Sequence, residues 1–282
     1  MKVLPFKISK QDNVALIYQE DSTPLFYDKL HQHEEIQLSY IAHGEGTLVL
    51  GDSVNKFNQG DIVIIGSNVP HVFRSDPIDK GKSCMISLFV NTSSLSTDFF
   101  ELDEFESLQS FFDATIYGLK VTSNLEIIKN LFVQLKEADK LGRFILFFKI
   151  LNAVGNSNYQ QLSSFIYSKN YTNSEGKRMG AILEYTMNNF DQPISLDQIS
   201  SLANLTPNAF CKYFKLRTNK TFVQFLTEIR IEQACKLLSK NSDLSVSEIA
   251  FSSGFMNVSN FNRKFKLLKK RTPMEYKKAH SF

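Results

Sequence analysis

Between residues 14 and 90 the apolar positions fall in short runs: VALIY (14–18), IQLSYIA (36–42), GTLVLG (46–51), DIVIIG (61–66) and CMISLFV (84–90), with Gly, Asn and Asp between them. Runs of about six residues broken by turn formers predict an antiparallel sandwich or barrel over about 10–95. From Asp98 to Ala153 the period changes. LEIIKNLFVQLKEA places Leu125, Ile128, Leu131, Phe132 and Leu135 at helical spacing, and RFILFFKILNAV is apolar almost all round, so both are expected to be helices. The second needs burial on several sides, either in a domain core or at a subunit interface, and the sequence leaves both open. Residues 156–176 are rich in Gly, Asn, Ser, Gln and Tyr and read as a linker between a first domain, 1–155, and a second, 177–282.

The second domain carries a repeat. Phe210, Phe214 and Lys215 recur 51 residues later as Phe261, Phe265 and Lys266. A Phe pair at i and i+4 packs one face of a helix and leaves the residues between pointing outward. Each such helix is preceded by a shorter one. Ser195 can cap Leu196–Ala203 with Asp197 in its first turn, Asn204 and Leu205 make a turn, and Thr206 caps a helix with Pro207 at its first position. Further on, Ser245 or Ser247 precedes EIAFSS, Gly254 supplies the turn, and Asn257 can cap the next helix. FVQFLTEIRIEQACKLLSK between them reads as one helix of about 18 residues, roughly 27 Å long. Two helix-turn-helix units on such a rod predict DNA binding, since successive major-groove segments lie about 34 Å apart.

Charge sharpens this picture. The net charge of +3 divides into 15 Lys+Arg against 21 Asp+Glu up to Glu175, and 17 against 8 from Gly176 on, so the positive charge belongs to the repeated helices. That is the footprint of a polyanion binder rather than of an ordinary solvated surface. The three cysteines, Cys84, Cys211 and Cys235, form no CxxC pair and read as reduced packing residues. No apolar run reaches the roughly 20 residues of a membrane span, and residues 1–10 lack a signal-peptide core, so the expectation is a cytoplasmic protein without a membrane partner.

The segment IAFSSGFMNVSNFNRKFKLLKKRTPMEYKK resembles the C-terminal signature of the AraC/XylS family of bacterial transcription regulators: Ile249, Ala250, Gly254, Phe255, Ser259, Phe261, Arg263, Phe265, Lys266, Thr272, Pro273 and Tyr276 fit it. Arg230, Ala234, Leu237 and Leu238 are similar to the family's connecting helix. Lys270 and Asn219 stand where the family usually has Gly at a helix end, and Ser200 replaces a usual Ala. By position, the resemblance implies that Asn208, Cys211 and Lys212 of the first recognition helix and Val258, Ser259, Asn262 and Arg263 of the second meet DNA. Arg263 is the foremost of these, because Arg bonds bidentately to guanine; the plain alternative is a salt bridge to a neighbour.

Four of the five histidines, His31, His33, His43 and His71, lie in the first domain. HxH, a Gly-rich turn, GD before a strand and a later PH make this domain similar to a cupin, a small β-barrel. His31, His33, Gln37 and His71 are the candidates to line its effector pocket, and His43 beside Gly44 reads as a turn residue. Gln37 stands where metal-binding cupins usually have Glu and is a poorer ligand, so no bound metal is expected unless the three histidines converge, a point the sequence leaves open; no cofactor or catalytic residue is expected either.

The fold class expected is α+β multidomain: a cupin-like β-barrel (about 10–95), helices (about 98–153), and an all-α tandem helix-turn-helix domain. The function implied is a sequence-specific regulator whose partners are promoter DNA, a small-molecule effector, a second copy of the chain and RNA polymerase. The rival is a metal-dependent cupin enzyme carrying a DNA-binding tail, and whether regulation activates or represses is left open.

Overall fold

The computed structural model describes residues 14–76, 82–95, 102–165, 171–240 and 243–280. The chain divides into two compact units, one up to Gly176 and one from Lys177.

Among its described residues the first unit holds nine strands: β1 (Leu16–Thr23), β2 (Ile36–His43), β3 (Gly46–Leu50), β4 (Ser53–Phe57), β5 (Ile62–Ile65), β6 (His71–Ser75), β7 (Ser83–Val90), β8 (Leu119–Val121) and β9 (Tyr159–Gln161). They form a six-stranded sheet, β1-β7-β2-β5-β8-β9, and a three-stranded sheet, β4-β3-β6, with every pairing antiparallel. Alternation along the strands feeds two cores. Ile36, Leu38 and Tyr40 of β2, Ile62 and Ile64 of β5, and Ile86, Leu88 and Val90 of β7 face one way. Ile41, Val63, Ile65 and Met85 face the other, against Leu48, Leu50, Phe57 and Phe73 of the small sheet. Because the large sheet is covered on both faces, its strands read as near-continuous apolar runs.

The outer cover is helical: α1 (Gln109–Ala114), α2 (Leu125–Gln134) and α3 (Lys140–Gly155). The apolar segment RFILFFKILNAV is α3, and its Leu146, Phe147, Ile150, Leu151 and Val154 are buried in the core that α2 and the sheet share. That assigns the helix to the first unit's core, while Leu141 and Ile145 on its other side stay exposed. The helical stretch expected over 98–153 is interrupted by β8, and its first residues, 98–101, lie outside the described ones.

The expected linker needs correction as well. Tyr159–Gln161 pairs with β8 as an edge strand. Just beyond it, the Ser163 hydroxyl (2.7 Å), the Ser164 amide (3.1 Å) and the Ser164 hydroxyl (2.9 Å) all donate to the buried Asp52 carboxylate. Polar composition suggested a tether, but here the polar groups serve as partners for a buried anion.

From α4 (Asn173–Asn189) onward the chain is helical: α5 (Leu196–Leu202), α6 (Pro207–Thr218), α7 (Phe222–Ser239), α8 (Val246–Ser252), α9 (Val258–Lys269) and α10 (Pro273–His280). Among the described residues no helix is long and apolar enough to cross a membrane.

Candidate nucleic-acid interface and a histidine cluster

Local chemistry sets each helix of the second unit, and it does so twice. Ser195 and Gln198 form a capping box on α5, and Ser245 and Glu248 form one on α8. The bonds from Ser245 hold the Glu248 carboxyl below the usual carboxylate range. Each short helix ends in a left-handed turn, at Asn204 (φ 53°) and Gly254 (φ 84°). Thr206 then caps α6 by accepting from the Ala209 amide (3.3 Å), and Asn257 caps α9 by accepting from the Asn260 amide (3.0 Å). Both long helices exit through another left-handed residue, Asn219 (φ 52°) and Lys270 (φ 58°). The repeat continues into the caps that follow, Thr221 with Gln224 on α7 and Thr272 with Glu275 on α10.

Helix α7 carries both halves. Its first turns meet α6 through Phe222, whose ring lies 5.5 Å from that of Phe210 and 5.6 Å from that of Phe214, and through Phe225, 5.5 Å from Phe214. Its later turns, Ile231, Ala234, Cys235 and Leu238, share a core with Ile249, Ala250, Phe255, Phe261 and Phe265. Ion pairs bind it on either side of its middle, Lys220 to Glu228 (2.8 Å) and Lys269 to Glu232.

The middle of α7 is tied by Arg230, which donates through Nε to the Phe190 carbonyl (2.7 Å) and through Nη2 to the Gln192 carbonyl (2.9 Å). Gly254 packs at the same place. A Cβ there would fall on the Phe190 carbonyl oxygen and within 2.9 Å of Asp191 Cα. The turn of the second helix-turn-helix therefore abuts the chain that enters the first.

With the Phe pairs fully buried, the outward positions are exposed: Asn208, Cys211 and Lys212 on α6, and Ser259, Asn262 and Arg263 on α9. Val258 is half-buried against the second core. Arg263 donates through Nη2 to Asn260 Oδ1 (3.0 Å), one turn earlier, a hydrogen bond to a neutral amide rather than the salt bridge that the sequence left open. Both side chains are exposed, so the bond is compatible with contact to a base. The packing role expected of all three cysteines holds for buried Cys235 but not for Cys211, which is exposed on α6.

In the first unit, His31, His33 and His71 come together. One ring nitrogen of each lies within 4.8 Å of those of the other two. His31 precedes β2 and bridges to His71 across the backbone, so it reaches the cluster by this bridge rather than by strand alternation. Gln37 joins the cluster through Oε1, 3.0 Å from His33 Nε2, while its Nε2 donates to Ser39 Oγ (2.8 Å), which meets Ser87 Oγ (2.7 Å). Burial, then the neighbouring His31 and His33, push protonation of His71 well below the usual imidazole range. His43 stands apart, exposed, with Nδ1 3.2 Å from Gln59 Oε1.

Comparison with known proteins follows the same division. Residues 13–141 match the AraC-like ligand binding domain, and residues 199–279 match a helix-turn-helix domain. The chain is 25% identical over 260 residues to the uncharacterized HTH-type transcriptional regulator YdeC of Bacillus subtilis, across 90% of this chain and 88% of YdeC. It is 37% identical over 97 residues to an HTH-type transcriptional regulator in the cgkA 5' region of Pseudoalteromonas carrageenovora, across 34% of this chain and 57% of that one. Among solved structures, a probable AraC family transcriptional regulator from Rhodopseudomonas palustris is similar at 22% identity and a TM-score of 0.36, over 38% of this chain and 99% of that one.

Proposed function

Because the chain belongs to the AraC-type family of transcription regulators, we propose that its second unit reads promoter DNA by laying α6 and α9 in successive major grooves. The observation that carries this is the duplicated architecture. Two helix-turn-helix units, each with a capped helix, a left-handed turn and a second capped helix, share α7 as their support. Asn208, Cys211 and Lys212 on α6 and Val258, Ser259, Asn262 and Arg263 on α9 are the contact residues in this reading. Arg263 reads a guanine, Asn208 and Asn262 suit adenine, Lys212 suits a phosphate, and Val258 offers at most a thymine-methyl contact.

In this reading the first unit senses a small molecule through His31, His33, Gln37 and His71, and it pairs with a second copy of the chain. Regulation then works through the difference in effector affinity between two states of the protein. RNA polymerase as partner and the cytoplasm as compartment follow from the regulatory role. The enzyme reading draws no support from the relatives, which are described as transcription regulators.

The test is Arg263→Ala in a binding titration against the operator and against single-base variants of it. Affinity is expected to fall by about 1 to 3 kcal/mol, with discrimination relaxed at one base position. An equal loss on every duplex, random sequence included, would reassign Arg263 to a phosphate.

A further inference from the structure

We propose that the first unit binds a divalent transition-metal ion through Nε2 of His31, His33 and His71, with the Gln37 amide oxygen as fourth neighbour. The three rings are oriented alike. His31 Nδ1 lies 2.9 Å from the Lys29 carbonyl, His33 Nδ1 2.9 Å from the Glu35 carbonyl, and His71 Nδ1 2.8 Å from the Val69 carbonyl. A carbonyl oxygen only accepts, so each Nδ1 carries a proton, and in the neutral form of each ring the lone pair stands at Nε2. A backbone carbonyl on the far nitrogen is also the usual outer support of a metal-bound imidazole.

Two further observations point to a cation among these rings. His71 Nε2 is buried and has no hydrogen-bond partner, an arrangement that costs about 1 to 3 kcal/mol if nothing occupies the lone pair. Gln37 Oε1 stands 3.0 Å from His33 Nε2, which sets one acceptor against another when the ring is neutral. Turning the Gln37 amide over would relieve that contact and leave His71 as it is, whereas an ion relieves both. Beside them the buried Glu35 carboxylate has one oxygen without a hydrogen-bond partner, 3.8 Å from His33 Nδ1, and it would balance part of the ion's charge.

The donor set selects the ion. Three imidazoles and one amide oxygen suit zinc, cobalt, nickel or copper, and offer too few oxygens for calcium or magnesium. A four-coordinate ion with bonds of about 2.0 to 2.1 Å needs its nitrogens about 3.4 Å apart, so the rings would close in from their present separation. Gln37 weakens the site relative to a carboxylate without abolishing it.

That the ion serves as the effector rests on the regulatory reading above; that it binds does not. The full chain, stripped with chelator and free of DNA, is titrated with Co2+ and followed by visible absorption and by melting temperature. One equivalent is expected to bind with the bands of a nitrogen-ligated centre, to raise the melting temperature and to be displaced by Zn2+. His71→Ala should weaken binding by at least about tenfold, Gln37→Glu should tighten it by about tenfold, and Arg263→Ala should leave it unchanged. Weak binding of several equivalents that His71→Ala does not alter would overturn the site. Should His71→Ala fail to fold, Gln37→Glu decides, because it keeps the side chain's shape: no gain in affinity would overturn the proposal. Loss of operator binding with Co2+ binding intact would count against the regulatory reading and leave the ion site standing.

Discussion

At Lys270 the backbone turns left-handed, with φ at 58°, and its Cβ bears the steric cost that glycine avoids there. Lys270→Gly should therefore stabilise the protein by about 0.5 to 1 kcal/mol, read as a shift in denaturation midpoint. The matching change Asn219→Gly should do less, since Asn tolerates this geometry. The departure from Gly was visible in the sequence, and the turn made its consequence definite. Other residue-scale facts were hidden. Arg230 stood out only by its resemblance to the family's connecting helix, with no role attached, because its carbonyl partners, Phe190 and Gln192, lie about 40 residues upstream. The hydrogen bond from Arg263 to the neutral Asn260 took the place of the salt bridge considered from the sequence, and the orientation of the three histidine rings depends on carbonyls that no side-chain pattern encodes.

Elements were legible where one residue's chemistry suffices. Ser195, Thr206 and Asn257 cap helices because their side chains reach an amide three residues on, whatever the rest of the chain does. The strands buried on both faces announced themselves as apolar runs. By contrast β4, SVNKF, and β6, HVFRS, mix polar and apolar residues, and β8 and β9 have three residues each, so pairing with neighbours creates them rather than propensity. Gly254 shows how tertiary packing uses an element that sequence locates. Gly254→Ala places a methyl group on the Phe190 carbonyl and also demands a positive φ from alanine. A loss of about 2 kcal/mol or more is expected in chemical denaturation, together with weaker operator binding. An unchanged midpoint would mean that the 190–192 connection gives way at little cost.

Over the whole molecule the charge is divided, with acidic excess up to Glu175 and basic excess from Gly176 on. Attraction to phosphate then belongs to the second unit, and the logarithm of affinity should fall linearly with the logarithm of salt concentration. Lys212→Ala is expected to lower that slope by about 1 and to weaken binding alike on operator and random duplex. A loss confined to the operator would place Lys212 on a base instead. The end of the first unit was the least legible boundary, because Ser163 and Ser164 look like tether and instead hold Asp52. The knot that Arg230 and Gly254 make with residues 190–192 also limits the DNA. Reading heads that cannot swivel independently fix the phase between the two sequences they recognise. One inserted base pair would turn the second sequence by about a tenth of a revolution, and the double helix rather than the protein would have to twist to restore the match.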